Sequence, residues 1–201
     1  MANKKEFILD KAQDLFVQQG FDKTSIVNIL EATGIARGTL YYYFTSKEEI
    51  MDAIIERSLE QAFQKSSEFA QNKSLGIFDR LFGGLLALNL SRYQGPEIMA
   101  HLEAPQNALL HEKSKRILLE RAPLILLPII EDAIASKLIE TDYPLESLEM
   151  LLTYSLQVFN QDFQRLSPKE QEERVEAFIY LTERVFQSQK GFFDGLKQIL
   201  Y

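Results

Sequence analysis

The stretch Thr24–Lys47, TSIVNILEATGIARGTLYYYFTSK, decides the fold, because it reads as two short helices joined by a glycine turn. Thr24 or Ser25 can cap the first helix by accepting its free N–H groups. Ile26, Ile29 and Leu30 then fall at i, i+3 and i+4 on one apolar face. Gly34 follows the last periodic residue, where a left-handed backbone meets no Cβ clash, so the chain can turn sharply into a second helix starting near Ile35 or Ala36. This is the pattern of a helix-turn-helix.

The second helix, Ala36-Arg37-Gly38-Thr39-Leu40-Tyr41-Tyr42-Tyr43-Phe44, has anchors at Ile35, Leu40 and Phe44 and leaves Arg37, Thr39 and tyrosine hydroxyls for another surface. Successive helical residues are rotated by about 100°, so at least one of three adjacent tyrosines must point outward. Gly38 costs roughly 1 kcal/mol relative to Ala in a helix interior, so its presence suggests close approach of something to the backbone. DNA fits that description. A recognition helix offers its N-terminal residues to base edges, while hydroxyls and basic side chains hold phosphates. Arg37 can reach a guanine bidentately, and Thr39 can touch a thymine methyl or a phosphate.

The run GIARGTLYYYFTSKEEI, with Thr24-Ser25-Ile26 before it and a first helix ending in the Gly20-Phe21 turn, resembles the DNA-binding domain of the tetracycline-repressor (TetR) family. The resemblance covers about the first fifty residues, from Ala12, Leu15 and Phe16 through to Lys47. Tyr43 stands where members often carry His, and Leu30 and Thr33 where small Ala is usual. The resemblance implies that Lys47 contacts phosphate. The DNA-binding set is then Ser25, Ala36, Arg37, Gly38, Thr39, Tyr41, Tyr42 and Lys47, with Arg37 and Thr39 reading bases and Ser25, Tyr41, Tyr42 and Lys47 holding backbone.

The net charge of −7 is unevenly distributed. Residues 1–47 hold six Lys/Arg against five Asp/Glu, which leaves sixteen basic against twenty-four acidic residues in the rest of the chain. An acidic bulk is repelled by a duplex, so binding should be confined to the head and be salt-dependent. The absence of cysteine excludes a disulfide framework, a Cys-based zinc site and a thiol nucleophile. No signal pattern appears at the N-terminus and no apolar run approaches bilayer length, since Leu124–Ile130 is interrupted by Pro128. A cytoplasmic location and no membrane partner are expected. His101 and His111 lack metal-helix spacing and read as surface or polar-core residues. No nucleophile elbow, P-loop or dinucleotide fingerprint occurs, so neither catalysis nor a cofactor is expected.

In chain order, Asn3 is a plausible cap for a helix over residues 3–19, with Phe7, Ile8, Lys11 or Ala12, Leu15 and Phe16 on its stripe. Ser46 caps the next, with Glu48 and Glu49 at its positive end. From Ser46 to about Asn72, Ile50, Ile54 or Ile55, Leu59, Phe63 and Phe69 keep helical spacing without Pro or Gly. At about 1.5 Å per residue this single helix extends roughly 40 Å, enough to act as a lever. The expected domains are 1–47, the helix-turn-helix head, and 48–201, an effector-binding and dimerisation domain entered through the helix 46–72.

No stretch after that shows strand-like alternation, so the fold class is all-α. Helices are expected over Leu75–Ser91, Pro96–Glu103, Pro105 to about Ala122, Pro123–Leu138, Leu145–Leu166 and Pro168–Gln189. Pro128 should kink or locally unwind its helix. Two of these helices are apolar on more than one face, which calls for a second partner beyond the core, most economically a second copy of the chain. The expected interface is Leu148, Leu152, Leu156, Phe159, Val175, Phe178, Ile179, Thr182, Val185 and Phe186. A two-fold dimer would set the recognition helices about 34–36 Å apart to read a palindromic operator.

Between the long helix and this pair lie Phe78, Leu81, Phe82, Leu85, Met99, Leu102, Ile117, Leu118 and Leu124, which with Tyr154 make the expected pocket. Gly83-Gly84 would leave room against a neighbour or a ligand. In the resembled family this domain holds an inducing small molecule, here a mostly apolar one, whose binding spreads the heads and releases DNA. The resulting expectation is a homodimeric, ligand-responsive regulator, most simply a repressor. The alternative is a helical small-molecule carrier or protein-interaction module that does not bind DNA.

Overall fold

The computed structural model describes residues 4–89, 100, 101, 104, 107–159 and 161–200. The described residues are helical and contain no strand, as an all-α chain requires. They fall into two compact units, Met1–Gln61 with Leu90–Ser114, and Ala62–Asn89 with Lys115–Tyr201.

The first unit opens with α1, Lys4–Gln19, which buries Ile8, Leu9, Ala12 and Phe16. That stripe differs from the expected one, because Leu9 is inside and Phe7 is out, a rotation of the buried face toward residues 8, 9, 12 and 16. Helix α2, Ile26–Thr33, is capped by Ser25, whose hydroxyl accepts the N–H of Asn28 while the Asn28 side chain accepts the N–H of Ser25. Thr24 instead turns inward and donates to the carbonyl of Gly20 at 2.8 Å. Gly34 closes α2 at φ 65°, its N–H donating to Leu30 at 2.8 Å, a left-handed position that glycine takes without Cβ strain. Helix α3, Arg37–Tyr43, follows α2 after only three residues, and Leu40 and Phe44 fix it from beneath.

Helix α4, Lys47–Gln71, is one unbroken run of 25 residues that opens with Ser46 accepting the N–H of Glu49. Within the first unit, Ile50, Met51, Ile54, Ile55 and Leu59 are buried along it. Arg57 donates from α4 to Glu6 at 3.0 Å, Asp10 at 2.7 Å and Gln13 at 2.7 Å, so one guanidinium holds three side chains of α1.

In the second unit, α5 spans Ile77–Leu88. A Cβ at Gly83 would collide with the ring of Phe69, and one at Gly84 would stand 3.0 Å from Leu126 and 3.4 Å from the Ser66 hydroxyl. The glycine pair therefore lets helices pack closely. Of the two uses expected for it, the neighbour accounts for both residues.

Helix α6, Ala108–Ala135, corrects the expected division at Pro123, since both Pro123 and Pro128 lie inside one helix. Each proline removes the hydrogen bond to the carbonyl four residues earlier. Burial of Ala122, Leu126, Ile129, Ile130 and Ala133 on one side of the helix outweighs that loss. Pro128 and Leu124 sit one turn apart on the exposed side, where the carbonyl that lost its partner can meet water.

The expected helix over Leu145–Leu166 is also corrected. Helix α7, Pro144–Val158, stops at Phe159, and a four-residue helix α8, Gln161–Gln164, follows. No helix-breaking residue marks the stop. Phe159 there packs edge-on against Phe163 at 5.0 Å and Phe178 at 5.3 Å, a tertiary cluster that periodicity could not reveal. Helix α9, Pro168–Val185, starts with a reciprocal Ser167–Glu170 capping box and ends four residues before the expected Gln189. A 3-10 turn, Asp194–Leu196, and a last turn α10, Lys197–Leu200, complete the unit.

Two buried charges close the second unit. Arg80 is only 3% exposed; its Nε and Nη2 donate to the carbonyl of Ala70 at the end of α4, and its Nη1 donates to Asp132 at 2.6 Å. Buried Glu183 accepts the N–H of Gly191 at 2.6 Å and so ties the C-terminal segment to α9.

Candidate nucleic-acid interface

The start of α3 is a surface built on a buried footing. With Leu40 and Phe44 inside, the 100° step of the helix turns Ala36, Arg37 and Gly38 outward. Thr39 is half-buried, and Tyr42 is 81% exposed. Tyr41 is exposed beside Arg37, whose guanidinium carbon stands 5.5 Å from the ring centroid. Tyr43 is half-buried and meets Tyr42 edge-on at 5.0 Å, so two of the three tyrosines face away from the core. Nothing lies within 4 Å of where a Gly38 Cβ would be, and its φ is not in the left-handed region. The fold places no demand for glycine there.

Ser25 is exposed at the cap of α2, next to exposed Val27. Lys47, at the first position of α4, donates from Nζ to the carbonyl of Phe21 at 2.8 Å and lies 4.0 Å from the Phe21 ring centroid. One of its three ammonium hydrogens is thus committed and the group is held in place. Lys5 approaches the Phe44 ring at 5.7 Å. Glu49 adds a fixed negative charge, because hydrogen bonds from the Thr45 backbone and hydroxyl hold its carboxyl below the ordinary range. All eight residues of the expected DNA-binding set are thus exposed or half-buried on α2, α3 and the start of α4.

The residues expected elsewhere fare differently. Among the expected pocket residues, Met99 and Leu102 lie outside the described residues. Leu81 is buried, while Phe82, Leu85, Ile117 and Leu118 are half-buried. Phe78 stacks on Phe82 and meets Phe192 at 4.3 Å, Tyr154 stacks on Phe178 at 5.5 Å, and Leu124 is exposed.

Of the expected dimer residues, Leu148, Val175, Phe178, Ile179, Thr182 and Phe186 are buried within their own chain, whereas Leu152, Leu156, Phe159 and Val185 are half-buried. The buried six serve the core of the second unit. The side of α7 and α9 left to solvent carries Met150, Tyr154, Tyr180 and Leu181, and Arg184 stands 5.6 Å from the Tyr180 ring. Sequence reasoning placed Tyr154 in the pocket rather than on this side, and passed over Met150, Tyr180, Arg57, Arg80 and the contact of Phe21 with His101. No local pattern marks a side chain whose partners are distant in sequence. Among the described residues no group of His, Asp and Glu could hold a metal, and no helix is long and apolar enough to cross a membrane.

A family model described as bacterial regulatory proteins, tetR family, matches residues 8–54. The chain is 35% identical over 68 residues to an uncharacterised helix-turn-helix transcriptional regulator, YfiR of Bacillus subtilis, covering 34% of this chain and 33% of that one. It is 37% identical over 73 residues to the transcriptional repressor ComR of Escherichia coli, covering 35% of each. The chain thus spans about a third of the length of these curated relatives. The fold extends further. A transcriptional regulator from Cytophaga hutchinsonii superposes with a TM-score of 0.67 at 21% identity, over 92% of this chain and 97% of that one. GusR of Salmonella enterica superposes with a TM-score of 0.56 at 24% identity, over 91% and 95%. Residues 8–54 thus carry a helix-turn-helix domain that matches the tetR family of bacterial regulatory proteins, and the chain as a whole shares the fold of these solved regulators.

Proposed function

We propose that this protein is a DNA-binding transcriptional regulator that reads a palindromic operator as a homodimer and, as a repressor, is released by a small, mostly apolar effector. The observation that carries the DNA reading is the start of α3, where Arg37, Gly38 and Tyr42 are exposed over buried Leu40 and Phe44 and the chain has no internal need for Gly38. A glycine unneeded by its own fold suits a helix whose backbone approaches a duplex. Arg37 and Thr39 read bases, while Ser25, Tyr41, Tyr42 and Lys47 hold phosphates, with Ala36 and Gly38 letting the helix sit deep in the groove. The functional head is residues 1–47, and residues 48–201 serve the effector and the second subunit in the cytoplasm.

For the dimer contact, the exposed Met150, Tyr154, Tyr180 and Leu181 replace the buried face of the same helices, since a side chain already enclosed in its own core has no surface to offer. The effector acts by binding the DNA-incompetent state more tightly, and DNA opposes effector binding by the same factor.

Selection of bound duplexes from a random pool, followed by sequencing, tests the reading. A palindromic enrichment is expected from wild-type protein. Arg37→Ala should relax base preference, whereas Lys47→Ala should weaken binding to all sequences and flatten its salt dependence. A folded dimer that enriches no sequence would favour the carrier reading.

A further inference from the structure

Phe21, in the turn between α1 and α2, is touched by two groups that can carry positive charge. The His101 ring centroid lies 4.2 Å from that of Phe21, and the Lys47 ammonium lies 4.0 Å from the same centroid while donating to the Phe21 carbonyl. Phe16 packs behind at 5.1 Å. Phe21, His101 and Lys47 thus form one cluster within the first unit, linking a tilted His101 ring to a lysine at the edge of the DNA-facing surface.

Nε2 of His101 is buried and has no hydrogen-bond partner among the described residues. A neutral imidazole can leave that nitrogen as a bare acceptor, whereas an imidazolium would place an N–H there with nothing to receive it. The charged groups around the ring are Asp52, Glu48 and Lys47 on α4 and Asp22 in the turn, with Glu56 and Lys113 around Asp52. Burial, the largest influence, and Lys47 push the imidazole below its ordinary value of 6.5, against the pull of Asp52, Glu48 and Asp22. Burial likewise pushes the neighbouring Asp52 carboxyl up.

We propose that His101 is a positioning residue of the head. Its neutral ring seats Phe21, and through Phe21 seats Lys47 for phosphate, whereas protonation breaks the seat and weakens DNA binding. This rests on the reading of the head as a DNA binder. Protonation adds an unreceived N–H at Nε2 and brings a second cation to the ring that already carries Lys47. Both costs vanish when the imidazolium swings away from Phe21. Because the seated ring binds its proton less readily than a free one, the seat is complete above 6.5 and is lost as the pH falls below that value.

The test is the affinity of the full chain for a selected duplex between about pH 8 and about pH 5.5, the range in which imidazoles titrate. Wild-type affinity should fall toward the acid end of that range, as the imidazole takes up its proton. His101→Phe, which keeps a ring against Phe21 and cannot titrate, should retain the neutral-pH affinity and lose the fall. A fall that persists unchanged in His101→Phe overturns the proposal. Should His101→Phe fail to fold, His101→Gln serves in the same comparison.

A second readout separates this proposal from the reading beneath it. In His111→Gln protein His101 is the single histidine, so its ring protons can be titrated by NMR together with the Phe21 ring and the Lys47 Hε signals. Phe21 and Lys47 signals that move with the His101 titration support the seat even if no duplex binds at any pH. Signals that ignore it overturn the seat even if DNA is bound.

Discussion

Helix α3 of the head carries a glycine in its first turn and helix α5 of the second unit one at its middle, and the surroundings of the two are opposite. Around Gly38 there is open space; at Gly83 a Cβ would enter the Phe69 ring. The first glycine is unneeded by the fold that contains it, and the second is required by packing. The same contrast runs through the larger elements. Arg37, Tyr41 and Tyr42 of the head point away from their own core, whereas the second unit turns Arg80 inward onto the Ala70 carbonyl and Glu183 onto the Gly191 N–H. A residue type that is odd for its element signals function only when the chain itself gives it no use.

The largest test of this contrast is Arg80→Ala. It removes the donors to the Ala70 carbonyl and the partner of Asp132 at once, so it should cost about 3 kcal/mol, at the low end for a broken buried pair because Asp132 is partly exposed. Denaturant unfolding measures it, and a loss within experimental error would mean that the second unit does not depend on its internal polar partners.

The two faces of α9 come next. Val175→Ala, at a position with no solvent exposure, should cost about 2 kcal/mol and leave the oligomeric state unchanged. Leu181→Glu, on the exposed face, should change stability by less than about 0.5 kcal/mol and split the proposed dimer in sedimentation. If the two outcomes were exchanged, the division of that helix into a core face and a contact face would be wrong.

The glycines give a smaller effect with opposite signs. Gly38→Ala, in the first turn of α3, should stabilise the folded chain by less than about 1 kcal/mol, the gain of a helix-interior position, and weaken operator binding. Gly83→Ala should destabilise it by about 1 kcal/mol, because overpacking against Phe69 exceeds the gain in helix propensity. Equal signs in thermal unfolding would remove the distinction between a functional and a packing glycine.

The smallest effect is on acid stability. Hydrogen bonds from Lys73 and Arg80 hold the Asp132 carboxyl below its ordinary 3.8, so its contribution is present above that value and is lost as the pH falls through the lower folded value. His101 loses its contribution earlier, as the pH falls below 6.5. Amide exchange should therefore show the first unit loosening before the second on acidification, and His101→Phe should remove the early step.

Legibility differed between the units for physical reasons. In the head, Ser25, Gly34 and the spacing of Leu40 and Phe44 are local signals: a cap, a left-handed turn and an anchor pair fix the helices and the outward face within twenty residues. Helices α7 and α9 are apolar on two faces, and periodicity reports that both exist without saying which meets the chain's own core. The prolines of α6 show the same limit, since Pro123 reads as a helix start and becomes a helix interior once Leu126, Ile129 and Ile130 are buried.

The sequence by itself therefore determined the all-α class, the helix-turn-helix and the residues that face away from it, because each depends on interactions a few residues apart. Only the tertiary structure decided which face of α9 is core, why Gly83 and Gly84 are needed, where Arg80 finds its acceptors and that His101 rests on Phe21. Those outcomes depend on groups brought together across 10 to 80 positions of the chain, and no local propensity encodes which of several compatible partners will be there.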